Sequence, residues 1–229
     1  MQSVAGNAAQ PEQESSSGSK KGLGSVVMPQ IFSIVIKGGI VMIPLLTCSL
    51  ISLALSIERI LFWTRLKSKT LINEVLDLVE RGDYEQALRL GKNSPQPIAR
   101  VLAAGIAHRN PAPAKAMGAA AQAEIPVLKS GLGILDTIVP LAPLLGLLGT
   151  VVGMIGSFEV MADVGIGQPH AVTGGVAEAL IATATGLLIA ILTLVSYNYF
   201  TARAEREMDQ MEHFSSSLEL QLHAQAENH

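Results

Sequence analysis

Charge is scarce in this 229-residue chain: Asp, Glu, Lys and Arg make up 15% of it, against about a quarter in ordinary soluble domains. So sparse a supply argues against a water-exposed globular domain. Cysteine is almost absent too. The single Cys48 excludes an intramolecular disulfide and a cysteine metal site, and it reads as a small apolar packing residue. Aromatics reach only 4%, with no basic, aromatic-lined stretch of the kind that binds nucleic acid. There is no Walker-type phosphate loop and no nucleophile with a matched base, so nothing points to an enzyme. His108 and His213 have no partner at metal-ligand spacing; no metal or cofactor is expected.

What the chain has instead is apolar residues, 49% of the total, with a mean hydropathy of +0.40. They lie in blocks. Residues 38–57, 137–158 and 179–200 each run 20 to 22 residues without a charge, and about 20 helical residues cross a hydrocarbon core of roughly 30 Å. The reading is an all-α integral membrane protein with three transmembrane helices. Placement of the basic residues orients them. Eleven of the sixteen lie within 59–129, two follow the third span, and none lies in 159–175. By the positive-inside rule the N-terminus is outside, and the middle segment and C-terminus are cytoplasmic.

The sequence then divides into a disordered N-terminal tail (1–24), an outer-surface helix (25–37), a first span (38–57), a cytoplasmic helical region (58–132), a second span (133–158), a short periplasmic loop (159–175), a third span (176–200) and a cytoplasmic C-terminal helix and tail (201–229). Glu58 and Arg59 close the first span, Phe62 and Trp63 suit the membrane interface, and Arg65, Lys67 and Lys69 form a basic collar. Within the cytoplasmic region, Leu71, Val75, Leu78 and Val79 form one apolar helix face. Asp83 is placed to cap the next helix, and Asn110-Pro111 and Pro126 are expected to interrupt the helices that follow. At about 75 residues this region is small for a core of its own. Met208, Met211, Leu218 and Leu222 keep a heptad-like spacing that predicts a helix packed on another helix, with a second copy of the chain as one option.

The second span carries the most distinctive pattern. Ala142, Gly146, Gly149, Gly153 and Gly156 recur at steps of four and three, which puts them on one stripe of a helix. Small residues let a second helix approach closely. Thr150 stands beside the stripe. In the third span Ala179, Thr183, Gly186, Ala190 and Thr193 form a second small-residue stripe able to meet the first, while Thr185 faces nearer the direction of Glu178. Glu178 is the one carboxylate of that span. Counted from an inner boundary at 197–200 it lies at the outer interface; counted from Thr193 it is buried by roughly 7 Å, where a carboxylate is costly and usually serves a polar path. Asp136 reads as an interfacial carboxylate at the inner start of the second span.

APLLGLLGTVVGMIGSF (142–158) followed by AEALIATATGLLIAILTLVSYNYF (177–200) resembles the paired signature of the ExbB/TolQ/MotA proton-channel family, and KGGIVMIPLLTCSLISLALSIERILF (37–62) resembles the first span of its ExbB/TolQ branch. MotA-type members have four spans, so three favour the ExbB/TolQ side, with ExbB the nearer resemblance and TolQ second. The resemblance implies a ring, five subunits in relatives, around the single-span helices of an ExbD- or TolR-like partner with a proton-accepting aspartate. It further implies a TonB-like or TolA-like protein as the recipient of the work, in the bacterial inner membrane. It carries a proton-pathway role to Glu178, Thr150 and Thr183; Thr185 is added on geometry, and Asp136 receives no matching role. A non-conducting membrane scaffold is the competing reading. A small-solute transporter is disfavoured, since three spans offer no inverted repeat.

Overall fold

In the computed structural model of the chain, the described residues are 38–66, 70–164 and 169–227. The tail and surface helix expected over 1–37, Lys67 and Lys69 of the basic collar, and 165–168 of the expected loop lie outside them. Seven helices occur among the described residues: α1 (Met42–Arg65), α2 (Thr70–Glu80), α3 (Tyr84–Lys92), α4 (Pro97–Ala107), α5 (Pro113–Leu128), α6 (Leu132–Val164) and α7 (Pro169–Glu227).

Three of the helical stretches are long and apolar enough to cross a membrane, contributed by α1, by α6 and by the first half of α7. Their sequence explains why they sit there. On α1, Met42, Leu45, Cys48, Ser52, Arg59 and Trp63 are buried at intervals of three, four and seven residues, while Ile43, Leu50, Leu53, Ile57 and Leu61 are exposed. Leu144, Leu147, Val151 and Phe158 on α6, and Leu180, Leu188, Ile191 and Val195 on α7, are likewise exposed. Such a leucine-rich exterior is unstable in water and at home in lipid or against another apolar surface.

α7 organises the rest. Its 59 residues extend about 88 Å at 1.5 Å per residue, so the helix leaves the apolar zone and becomes the spine of a bundle with α2–α5. One continuous core joins Ile72, Val75 and Val79 of α2, Ile98, Val101, Leu102 and Ile106 of α4 and Met117 of α5 to Phe200, Met211, Leu218 and Leu222 of α7. This answers how so small a region is stabilised: α7 supplies the missing face. The heptad-like residues are accordingly used inside the chain, with Met208 packed against the core and Met211, Leu218 and Leu222 within it.

Local chemistry sets the bundle's corners. Asp83 accepts a hydrogen bond from the Gln86 backbone N–H at 3.1 Å and caps α3. Tyr84 donates to Gln225 Oε1, and Gln225 Nε2 donates to the Val79 carbonyl at 2.9 Å, which fastens the far end of α7. Arg100 forms two parallel bonds to Glu124, 2.7 and 2.6 Å long, and donates to the carbonyls of Ser94 and Pro95. Hydrogen bonding to Glu124 holds the guanidinium above its ordinary pKa. Because Arg100→Met strands a carboxylate only 15% exposed, it is expected to cost about 1–3 kcal/mol, read as a lower melting temperature of the detergent-solubilised protein.

Three expectations change. Pro126 lies inside the last turn of α5 and does not end it; with only two helical residues after it, its missing N–H costs one ladder bond near the helix end. Helix continues through Val164 and resumes at Pro169, so most of 159–175 is helical. Trp63, expected at the interface, is 5% exposed within the core, with the Arg203 guanidinium 5.4 Å from its ring centre. Arg59 is also buried, at 4%, paired with Glu58 at 2.6 Å and donating to the Val127 carbonyl at 3.2 Å, so the end of α1 is tied to the end of α5.

Candidate functional site

α6 and α7 are the most intimately packed pair, and their sequence dictates it. A side chain added at Gly186 would stand 2.5 Å from the Ala142 carbonyl oxygen and 3.1 Å from Gly146 Cα; one at Gly146 would stand 3.1 Å from Thr183 Cα. Two backbones therefore touch with nothing between them, a contact that only residues without a side chain permit. Toward the α6–α7 connection, Gly149 faces the Ala182 methyl and Val41, which precedes α1, and Gly153 faces Ala179 and the Gly175 carbonyl. Gly156 behaves differently: a methyl there would meet nothing within 4 Å.

The hydroxyls follow the same seam. Thr183, half-buried, donates to the Gly146 carbonyl across it at 3.0 Å, not to a carbonyl of its own helix. Thr150 donates to the Leu147 carbonyl at 2.6 Å and Thr185 to Ile181 at 2.8 Å, each one turn back. All three keep lone pairs with which to accept a proton donor. Deeper along the spans, Ser52 and Thr193 share a buried hydrogen bond of 2.7 Å, joining α1 to α7. Ser52 escaped the sequence reading because one serine in an apolar run has no periodic signature.

Glu178 is half-buried, and its neighbours give its level along α6. Ala179 lies beside Gly153, so Glu178 stands level with that glycine. Gly153 precedes Glu159, the first charge of α6 toward the connection, by six residues, or about 9 Å. From the first residue of α7 Glu178 is nine residues, or about 14 Å, along the helix. The carboxylate thus lies beside the uncharged part of α6. It is seated against Gly39, three residues before α1, at the spot a side chain there would take.

Glu178 and Thr183 do not converge. Five residues turn a helix by about 140°, which directs Thr183 to α6 and leaves Glu178 and Thr185 sharing a face. Asp136, exposed at the other end of α6, borders a recess with Lys129, Tyr197 and Thr201, remote from Glu178. Among the described residues no three His, Cys, Asp or Glu side chains gather as a metal site would require.

A multi-pass helical membrane protein emerges, built on a glycine-packed helix pair with one carboxylate beside the uncharged zone. Comparison with known proteins makes this class specific: a sequence profile of the MotA/TolQ/ExbB proton channel family matches residues 93–213, and the chain belongs to that family. Biopolymer transport protein ExbB-like 3 of Synechocystis is 36% identical over 190 residues, covering 80% of this chain and 90% of that protein. ExbB-like 1 of the same organism is 36% identical, covering 84% and 79% respectively. The Tol-Pal system protein TolQ of Pseudomonas aeruginosa is 39% identical over 110 residues, 48% of each chain.

Proposed function

We propose that this chain is the proton-conducting, ring-forming subunit of an inner-membrane complex that uses the proton motive force to energise TonB-dependent transport across the outer membrane. The observation that carries the reading is Glu178, a carboxylate level with the uncharged part of α6. Burying a charge at that depth is costly, and its usual compensation is a polar path. The N-terminus is periplasmic and the C-terminus cytoplasmic, in keeping with the basic residues of 59–129.

Five copies form a ring whose second and third spans enclose the single-span helices of an ExbD- or TolR-like partner. Each proton that crosses releases about 2.3 kcal/mol per 100 mV. Glu178 accepts a proton on the outer side and passes it to a carboxylate of the partner. The hydroxyls of Thr150 and of Thr185, which shares the face of Glu178, supply acceptors along the way, while Thr183 braces the wall by its bond to the Gly146 carbonyl. Neutralised, the partner's carboxylate can face an apolar wall; on discharge inward it cannot, and the ring shifts relative to it.

Purification with its single-span partner, followed by mass measurement and a proton-flux assay in vesicles, tests the reading. Thr150→Ala is expected to leave the assembly's mass unchanged and lower flux by about tenfold, the scale of one hydrogen bond at about 1.4 kcal/mol. Absence of flux in the unmodified complex would favour a scaffold. Similarity to TolQ supports a second reading, a subunit serving envelope integrity; complementation of strains lacking one system or the other separates the two.

A further inference from the structure

The first span has no ionisable group near the proposed proton path, yet its leading corner lies against the one that matters. We infer that Gly39 is a positioning residue for Glu178: the absence of a side chain at 39 forms the seat that fixes the carboxylate. The inference rests on the reading of Glu178 as a proton carrier.

Geometry carries it. A side-chain carbon at 39 would coincide with Glu178 Oε1 and would lie 2.7 Å from Cδ and 3.3 Å from Cγ. The carboxylate therefore occupies the place of the missing side chain, and a residue with one at 39 turns the Glu178 tip away from that place. Gly39 has φ +71°, the left-handed region that side chains disfavour, and its carbonyl accepts the Met42 N–H at 3.1 Å, which starts α1.

That corner is held from several directions. Val41 reaches 3.7 Å from the side-chain position of Gly149 in the α6–α7 seam. Met42 and Leu45, at 2% and 0% exposure, are buried one turn on, and Ser52 ties the same helix to Thr193. Gly39 is thus fixed relative to α7 by contacts that do not involve Glu178, as a positioning surface must be. A side chain at 39 therefore competes with the carboxylate for one place.

A double-mutant cycle on the full chain, solubilised in detergent, tests the seat without relying on activity. Gly39→Asn introduces a side chain that tolerates the left-handed region, and Gly82→Asn is its control: Gly82 has φ +79° with nothing within 4 Å. Gly39→Asn is expected to lower the melting temperature in the unmodified chain and by less than about half as much beside Glu178→Ala, as touching residues do. Gly82→Asn should have the same effect in both backgrounds. Equal losses for Gly39→Asn in the two backgrounds would overturn the inference.

Infrared spectroscopy supplies the second measurement. The Glu178 carboxyl band, identified by its loss in Glu178→Ala, should shift in Gly39→Asn and stay in place in Gly82→Asn. An unmoved band would overturn the positioning role even if the melting data couple. A fully active Glu178→Ala protein would instead sink the proton-carrier reading, an outcome that neither the cycle nor the band can produce.

Discussion

Glu178→Ala is expected to reduce proton-coupled uptake to the background of a strain lacking the protein, while the purified complex keeps its mass. The two halves of this expectation come from different contacts. Glu178 is the only charged side chain between His170 and Arg203, so no neighbour on α7 can take over its proton. The fold of the single chain is spared because Glu178 contributes nothing to the α6–α7 seam, which is made by Ala179, Ala182 and Gly186 against α6, and the mass of the complex reads whether assembly follows. Glu178→Gln sharpens the test, since it retains the volume seated on Gly39 and removes only the exchangeable charge. If the carboxylate works by carrying protons, Gln is as inactive as Ala; if it works by filling space, Gln restores function. Uptake of an outer-membrane substrate, assayed beside the mass of the complex, distinguishes these outcomes.

The features legible in the sequence are those that repeat. Three charge-free runs at the length of a bilayer foretold three apolar helices, and the glycine spacing of α6 foretold its closest contact, because helical period maps directly onto one face. Periodicity failed where the partner was distant in sequence. The spacing of Met211, Leu218 and Leu222 correctly marked a packed face, but nothing in it distinguished a second copy from α4 and α5 of the same chain. Arg59 and Trp63 looked interfacial because charged and aromatic residues after an apolar run usually are; their burial within the chain comes with the Val127 carbonyl and Arg203, which converge on them from two other helices. The seat of Glu178 was invisible for the same reason. Gly39 reads as an ordinary helix punctuator, and only folding brings it to a carboxylate 139 positions away.

Gly186→Leu should have the largest effect on assembly of any single substitution in the spans. Added carbon at 186 meets backbone on α6, the Ala142 oxygen at 2.5 Å and Gly146 Cα at 3.1 Å, and backbone atoms cannot rotate aside as a side-chain tip does. Ordinary overpacking costs about 1–3 kcal/mol because neighbours adjust. Here the only adjustment is to separate two helices along the seam, which also stretches the Thr183 bond to the Gly146 carbonyl. Light scattering of the purified protein should show dispersed or aggregated species in place of one assembly. Gly156→Leu provides the contrast. It lies on the same glycine stripe, yet a side chain there meets nothing within 4 Å in the chain, so the α6–α7 pair should form and the melting temperature should hold. Two outcomes at Gly156 then discriminate what the glycine is for. Retention of the full assembly means the stripe is needed only as far as Gly153, where α7 leaves it. Loss of the assembly with the folded single chain retained means that Gly156 receives another subunit, and the spacing read as one interface in fact serves two.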